Sequence, residues 1–281
     1  MQGLIEIIKV IVIGIVEGIT EWLPISSTGH MIIVDELIKM NFSDDFKEMF
    51  MVVIQLGAIL AVVHLYFFKL WPLKRDDDGK IEVKKNTIDM WIKVIIACLP
   101  AAVIGFLLDD WLDKYFYNPV VVAIMLIAYG VWFILIEEKN KDKKPKINKM
   151  SKLDYKTAFF IGLFQVLALI PGTSRSGATI IGGLTMGVSR QLAATFTFFL
   201  GIPVMFGASL LKIVKYGFHF SLYEFSALLL GMLVAYGVSV FAIKFLMQYI
   251  KKHDFKVFGY YRIGLGVLVL IFFGIKALIA K

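Results

Sequence analysis

Long apolar stretches separated by short charged connectors dominate this chain. A helix needs roughly 20 mostly apolar residues to cross a membrane, and six stretches come close to that length or exceed it. These predicted spans are residues 49–70, 90–108, 119–136, 191–212, 222–247 and 257–278. The alternating pattern of an outer-membrane barrel is missing, so the pattern predicts an all-α polytopic membrane protein with about six transmembrane helices.

Two further regions, residues 4–40 and 157–188, are interrupted. Each holds a short apolar run, a cluster of Pro, Gly, Ser and Thr, and a second short apolar run. Lipid tolerates such a break only where the backbone is buried in protein or lines a cavity, so we expect two re-entrant helical hairpins. The first run, residues 4–16, lacks a basic segment before it and a small-residue cleavage site after it, which argues against a removable signal peptide.

The two interrupted regions resemble each other weakly. Placing the second region 148 positions behind the first superposes five pairs, which are Gly14 and Gly162, Glu17 and Gln165, Ser26 and Ser174, Thr28 and Ser176, and Gly29 and Gly177. We therefore expect a single membrane domain, 1–281, made of two inverted-topology repeats. The first repeat is 1–137, a basic cytoplasmic loop is 138–156, and the second repeat is 157–281. Each repeat would be one hairpin followed by three spans, and because three is an odd number, the second repeat has the opposite orientation in the membrane. Inverted repeats whose broken helices meet near the middle of the membrane can form a central polar site.

Composition and charge refine this picture. With 59% hydrophobic and 19% charged residues, the chain is too apolar for a soluble protein of this size. A net charge of +8 would suit nucleic acid, but the lysines flank apolar segments, which indicates membrane topology and anionic lipid headgroups instead. When the predicted hairpins and spans are placed in the membrane in chain order, the basic connectors at 74–85, 139–152 and 251–256 lie on the same side. The positive-inside rule makes that side cytoplasmic, so the termini and the mouth of the first hairpin face outward.

The first break carries a group of polar side chains in the sequence EGITEWLPISSTGH, residues 17–30. Glu17 and Glu21 are one helical turn apart and share a face. Two carboxylates in an apolar environment are costly unless they hold a divalent cation or share a proton. The alternative is an interfacial helix whose carboxylates both face water.

Hydroxyls and a histidine follow directly. Ser26, Ser27 and Thr28 precede a helix predicted near His30, and three hydroxyls exceed what one N-cap needs. Backbone N–H groups at a helix start also bind anions. His30 can serve as a general acid, a general base or a nucleophile, although a lone histidine is more commonly structural.

The second break, PGTSRSGAT at residues 171–179, centres on Arg175. An arginine in an apolar hairpin must find a counter-ion or water. Its planar fork matches phosphate oxygens, and the neighbouring hydroxyls add donors, so the segment predicts a phosphate cradle. An ion pair between Arg175 and Glu17 or Glu21 would describe the resting state of the same site.

These segments, with IQLGAILAVV between them, closely resemble the bacterial undecaprenyl-diphosphate phosphatase family associated with bacitracin resistance, over essentially the full chain. The resemblance implies a plasma-membrane enzyme that hydrolyses a C55 polyprenyl diphosphate to the monophosphate carrier for cell-wall synthesis. It also implies a divalent cation, Mg²⁺ or Ca²⁺, and an active site open to the outer face. The chain has Met51 where we expect a glutamate before IQLG, with Glu48 nearby, which puts an essential acid at that position in doubt.

The motifs assign roles residue by residue. Glu21, Ser27, His30 and Arg175 are the expected catalytic residues. Glu17 and Glu21 are the expected metal ligands. Substrate contacts are expected from Ser26, Thr28, Ser174, Ser176 and Thr179. The nucleophile is Ser27 activated by His30, His30 itself, or water.

Two other classes of function compete with a phosphatase. Inverted repeats around broken helices also suit a transporter or lipid flippase, which would bind the anion without consuming it. A purely structural membrane protein has no use for intramembrane Arg and Glu. The expected partners are the polyprenyl diphosphate and membrane lipids, with no nucleic acid, and a homodimer is left open.

Overall fold

The computed structural model describes residues 2–279, without the side chains of residues 2, 35, 109, 110 and 113. The described chain is mostly helical. Its helices are α1 (Gln2–Thr20), α2 (Ser27–Ile38), α3 (Asp44–Val53), α4 (Gln55–Leu70), α5 (Lys85–Phe116), α6 (Pro119–Asn140), α7 (Tyr155–Val166), α8 (Arg175–Thr185), α9 (Arg190–Tyr216), α10 (Leu222–Tyr249) and α11 (Lys256–Ile279). Two 3₁₀ turns, Met150–Lys152 and Leu167–Leu169, flank α7.

Within the described residues, six helical segments are long and apolar enough to cross a membrane, and they lie where the six spans were predicted. The first of them, Asp44–Leu70, is divided at Ile54 into α3 and α4. The chain is a multi-pass membrane protein, and the prediction of an all-α polytopic fold is confirmed.

Several spans begin where a polar side chain caps the helix. The Asn118 side-chain oxygen accepts a hydrogen bond from Val121 N at 3.0 Å, and Pro119 takes the first helical position. Ser221 and Glu224 form a reciprocal capping box at the start of α10. Such caps satisfy N–H groups that a helix start leaves unpaired.

The two interrupted regions fold as helix–break–helix units, α1–α2 and α7–α8. The helices α2, α7 and α8 have 12, 12 and 11 residues, too few to cross a bilayer at 1.5 Å per residue. α1 packs on α10, and α7 packs on α5. Gly162 permits the second contact, because a Cβ at that position would lie 2.3 Å from the Ala97 carbonyl oxygen. Both units are therefore held against long spans.

One connector has more structure than its charges suggested. Within residues 74–85, which the sequence analysis treated as a basic connector, the chain forms part of an antiparallel hairpin of β1 (Leu73–Arg75) and β2 (Ile81–Val83). Gly79 adopts a φ of +79° in the turn, a conformation that a glycine reaches without steric cost. Lys74 and Glu82 face each other in the register and form an ion pair at 2.8 Å.

Candidate active site

The breaks before α2 and α8 share one backbone feature, a serine with positive φ whose hydroxyl caps the helix that follows. Ser26 has a φ of +75° and Ser174 a φ of +71°, values that are rare for residues other than glycine. The Ser26 hydroxyl accepts from Gly29 N at 3.2 Å, and the Ser174 hydroxyl accepts from Gly177 N at the same distance. Non-glycine residues in this conformation cluster at functional sites, because the surrounding structure must hold them there.

The two breaks are in direct contact. The Ser176 hydroxyl donates to the main-chain carbonyl of Glu21 at 3.1 Å, and it lies 3.1 Å from the Ser174 hydroxyl. Trp22, which is fully buried, packs edge-on against Phe198 with ring centroids 5.3 Å apart. The first break is thus fixed against both α8 and α9.

Arg262 of α11 ties the breaks together a second time. Its side chain is fully buried and donates to the carbonyl oxygens of Gly172 at 2.8 Å, Thr173 at 2.9 Å and Pro24 at 3.3 Å. Its guanidinium also lies over the Tyr129 ring, 5.6 Å from the centroid. Among the described residues, no carboxylate pairs with Arg262, so main-chain oxygens and one aromatic face are the groups that compensate this buried charge.

The central feature of the site is a chain of three side chains. Arg175 donates to Glu21 Oε1 at 3.0 Å, and the Ser27 hydroxyl donates to Glu21 Oε2 at 2.9 Å. Arg175 and Glu21 are 11% and 8% exposed, so this is a largely buried ion pair with a hydroxyl on its far side. The ion pair that the sequence analysis considered for Arg175 is present, and its partner is Glu21.

The Arg175 guanidinium is held on several sides. It donates to the Thr197 carbonyl at 2.9 Å and lies over the Trp22 ring, 5.9 Å from the centroid. Gly201 leaves room for it, since a Cβ there would lie 2.8 Å from a guanidinium nitrogen. Arg175 Nε is buried and has no hydrogen-bond partner among the described residues. The cation is therefore oriented by its neighbours and keeps one donor free.

Glu17 lies one turn before Glu21 and is 1% exposed. Its Oε1 atom is buried without a hydrogen-bond partner in the part of the chain that the structure describes. A buried carboxylate oxygen of this kind is costly unless a cation or a proton compensates it. The alternative in which both carboxylates simply face water does not fit this burial.

His30 is engaged away from Ser27. Its Nδ1–H donates to the Ser26 carbonyl at 2.7 Å, so in the neutral ring Nε2 accepts from the Tyr261 hydroxyl, also at 2.7 Å. The two rings stack with centroids 5.6 Å apart. The histidine thus lies between the first break and α11, while the hydroxyl of Ser27 pairs with Glu21.

The remaining predicted substrate contacts fall into two groups. Thr28 lies in the first turn of α2 and is half-buried beside Ser27. Thr179 is 1% exposed and contacts the Thr197 hydroxyl at 2.8 Å, so in this structure it joins α8 to α9. Glu48, the acid nearest the Met51 position, is exposed and forms an ion pair with Lys212.

Comparison with known proteins identifies the family. Residues 10–268 match the family described as bacitracin resistance protein BacA. The chain belongs to this family. The undecaprenyl-diphosphatase of Acetivibrio thermocellus is 62% identical over 270 residues, which cover 96% of this chain and 98% of that protein. The undecaprenyl-diphosphatases of Desulfitobacterium hafniense and Enterococcus faecalis are 62% and 61% identical, over 99% and 95% of this chain and 100% and 97% of theirs.

The metal that the family resemblance implies can be tested against the residues present. Among the described residues, no group of three or more His, Cys, Asp and Glu side chains is arranged to hold a metal ion. Glu17 and Glu21 alone would supply two carboxylates, one with a buried oxygen that has no hydrogen-bond partner. Mg²⁺ is commonly bound by one or two carboxylates together with substrate phosphates and water. The donor set therefore fits a cation that binds together with a phosphate-bearing substrate.

Arg262 and Tyr261 are the site residues that the sequence analysis missed. Both lie inside the predicted span 257–278, and the charge of Arg262 there was a usable signal, because an intramembrane arginine is rare and generally functional. Tyr261 had no such signal, since an aromatic residue in an apolar helix is ordinary.

Proposed function

We propose that this protein is an undecaprenyl-diphosphatase, which removes the terminal phosphate of undecaprenyl diphosphate and releases the monophosphate lipid and inorganic phosphate. The named relatives, about 60% identical over nearly the full chain, support this assignment. The observation that carries it in the structure is the Arg175–Glu21–Ser27 chain, with contacts of 3.0 and 2.9 Å. A cation, a carboxylate and a hydroxyl in this order provide charge stabilisation, a base and a nucleophile.

In the mechanism that we propose, the Ser27 oxygen attacks the terminal phosphorus. Glu21 Oε2, which already accepts the Ser27 hydrogen at 2.9 Å, takes the proton as the new O–P bond forms. The bond between that phosphorus and the bridging oxygen breaks, and the lipid monophosphate leaves with the bond electrons. Water then attacks the phosphorus of the phosphoserine, the bond from that phosphorus to the Ser27 oxygen breaks, Glu21 returns its proton to this oxygen, and inorganic phosphate leaves. The contact between Ser27 and Glu21 favours this base over His30.

Phosphoryl transfer depends mainly on positioning and on neutralising charge at the phosphate oxygens. Arg175 has an unpartnered Nε donor in addition to its bond to Glu21, and the start of α8 offers backbone N–H groups. We assign the binding of the transferred phosphate to these groups, with Ser174 and Ser176 holding the loop in place. Glu17 and Glu21 would hold the divalent cation, which supplies further neutralisation of the diphosphate charge when bound.

His30 and Tyr261 form the other side of the proposed site. Nδ1–H donates to the Ser26 carbonyl and Nε2 accepts from the Tyr261 hydroxyl, so this hydroxyl would bind a phosphate oxygen by turning its hydrogen from Nε2 toward the substrate. We propose that His30 and Tyr261 bind the bridging oxygen and the lipid-linked phosphate of the substrate. His30 as nucleophile is the competing role, and a phosphorylated residue trapped at 27 or at 30 distinguishes the two.

The arrangement in the membrane is also a proposal. We place the protein in the bacterial plasma membrane, with the site opening to the outer face. Arg175 begins α8, and Leu184 in the last turn of α8 contacts the basic loop 138–156, roughly 14 Å away at 1.5 Å per residue. The site is therefore remote from the side that the positive-inside rule makes cytoplasmic. The matched serines at 26 and 174 support two inverted repeats, 1–137 and 157–281.

The experiment is phosphate release from C55 diphosphate by the purified protein in detergent, with Mg²⁺ or Ca²⁺ and with EDTA. Detergent has no second compartment, so turnover there separates a phosphatase from a flippase. We expect metal-dependent release that falls by on the order of 10³-fold in Glu21→Gln and Arg175→Ala. The matched controls Glu48→Gln and Lys212→Ala neutralise an acid and a base outside the site and should retain activity. Protein that binds the lipid but releases no phosphate would favour the flippase.

A further inference from the structure

A basic cavity lies at the end of the bundle opposite to the start of α8. It has a volume of about 720 Å³ and is formed by the last turn of α6, the loop that follows it, the α8–α9 turn and the end of α10. Six lysines contribute to its lining: Lys139, Lys141, Lys143, Lys144, Lys146 and Lys251. The proposed phosphatase site does not use any of them.

The walls of this cavity are structured. Lys146 N and Ile147 N both donate to the Gly187 carbonyl, at 2.9 and 3.1 Å, and Ser189 N donates to the Ile147 carbonyl at 2.8 Å. The Asn140 side chain donates to the Leu184 carbonyl at 3.2 Å. The loop is thus fixed to the α8–α9 turn by main-chain hydrogen bonds, and its lysines project from a folded wall.

The positive charge of the cavity is largely uncompensated. Glu137 is the acid in its lining, and it is already used: it is 1% exposed, binds Arg190 through both carboxylate oxygens and accepts from Phe255 N. Among the described residues, Lys143, Lys144 and Lys146 form no ion pair. Like charges collected in this way repel one another unless an anion is present.

Comparison with a second cavity shows that the excess of positive charge is specific to the basic cavity. The cavity beside the β1–β2 hairpin has a volume of about 920 Å³ and is lined by Lys74, Lys84 and Lys85 together with Glu82 and Asp89. Its basic and acidic groups balance closely, and Lys74 pairs with Glu82. Abundant lysine in a connector therefore does not by itself produce an uncompensated basic cavity.

The position of the basic cavity points to the kind of anion. It lies at the ends of three candidate spans, α6, α9 and α10, at the level where lipid headgroups are found. On α6, Val131 and Leu135 are 42% and 62% exposed and stand two turns and one turn before Lys139, respectively, on the same face. An exposed apolar stripe that leads to a basic pocket matches an acyl chain followed by a phosphate headgroup.

We propose that this cavity binds a phosphate-bearing anion, and that its source is the headgroup of an anionic phospholipid such as phosphatidylglycerol. Basic pockets at the ends of membrane helices are suited to such headgroups. The α9 N-terminus at Ser189 and Arg190 adds a favourable dipole to the lysine charges.

The test is native mass spectrometry of the purified full-length protein, titrated with phosphatidylglycerol or with phosphatidylcholine of the same acyl chains. We compare Lys143→Gln/Lys144→Gln/Lys146→Gln with Lys74→Gln/Lys80→Gln/Lys85→Gln, which removes equal charge from the connector 74–85 that contains the β1–β2 hairpin. We expect phosphatidylglycerol to be preferred, and its binding to weaken on the order of 100-fold in the first variant but little in the second. Phosphate release in neutral detergent, measured in parallel, verifies that both variants are folded.

Three outcomes would overturn the proposal. Equal weakening in both variants would mean that general surface charge attracts the lipid. Equal retention of phosphatidylcholine would mean that the headgroup charge is not recognised. Displacement of phosphatidylglycerol by millimolar inorganic phosphate, with the same lysine dependence, would assign the cavity to a soluble anion instead of a lipid.

Discussion

The break before α2 and the break before α8 have the same backbone geometry and opposite chemistry. Each ends in a serine with positive φ whose hydroxyl accepts from the N–H three residues later. At corresponding positions, 148 residues apart, the first break has Glu21, Ser27 and His30, whereas the second has Leu169, Arg175 and Ala178. The first supplies an acid, a hydroxyl and an imidazole, and the second supplies the cation.

This difference explains why the two breaks must touch. Glu21 without Arg175 would be a buried carboxylate lacking its counter-ion, and Arg175 without Glu21 would be an equally costly cation. Their contact at 3.0 Å, together with the Ser176 and Arg262 bonds to main-chain oxygens, joins them into one site. Two breaks with similar backbone geometry can thus form one composite site when they carry different side chains.

The largest effect is expected from a test that distinguishes the roles of two adjacent serines, Ser26 and Ser27. Ser27→Ala removes the proposed nucleophile and should lower phosphate release by about three orders of magnitude or more. Ser26→Gly removes the cap hydroxyl but suits the positive φ, so its effect on release should be far smaller. Steady-state release by the two purified variants measures the difference. Comparable activity in both would exclude Ser27 as the nucleophile.

The next largest effect concerns the bridge between the breaks. Arg262→Met leaves the carbonyls of Pro24, Gly172 and Thr173 without their buried donor, at about 1–3 kcal/mol for each. We expect a lower unfolding temperature and a fall in kcat on the order of 100-fold, because small displacements of reacting groups are costly.

Lys276→Met provides a control for this bridge on the same helix. Lys276 is half-exposed and pairs with Glu36, so its loss should change neither the unfolding temperature nor kcat appreciably. Arg262→Lys should restore the unfolding temperature in part and kcat only weakly, because one ammonium cannot reach all three oxygens. Full activity in Arg262→Met would contradict the bridging role.

A smaller effect is expected when Glu17 is replaced by the residue found at the corresponding position of the second break. That residue is Gln165, so the substitution is Glu17→Gln. We expect the metal concentration for half-maximal activity to rise on the order of tenfold, because second carboxylates contribute strongly to cation affinity. Titration of Mg²⁺ and Ca²⁺ after treatment with EDTA measures it, with Gln165→Asn as the control. An unchanged titration would remove Glu17 from the metal site.

The smallest effect is predicted at the edge of the site. Tyr261→Phe removes the hydroxyl that contacts His30 at 2.7 Å while retaining the stacked ring. The loss of one hydrogen bond, about 1 kcal/mol, should lower kcat/KM several-fold. Tyr260→Phe, on the exposed face of the same helix, is the matched control. A loss as large as that of Ser27→Ala would give the tyrosine a direct chemical role.

The sequence singled out the polar residues of the two breaks for a physical reason. Glu17, Glu21 and Arg175 stand out because charged groups are rare in apolar segments, and clusters of Pro, Gly and Ser mark where those segments break. The charge of Arg262 marked it in the same way, but its partners are main-chain carbonyls, which every residue possesses, so the side-chain pattern did not indicate what it binds. The proximity of Ser27 to His30 in sequence suggested a pair, whereas the start of α2 at Ser27 directs His30 toward Tyr261.

By itself, the sequence determined that the chain is an all-α, multi-pass membrane protein with two breaks and a concentration of acid, hydroxyl and cation at those breaks. Hydropathy and helical spacing are local properties, so they can be read along the chain. The tertiary structure alone decided which groups meet: Glu21 with Arg175, 154 positions apart, and Arg262 with both breaks. Those contacts depend on how separate helices pack, because packing brings together residues that no local pattern connects.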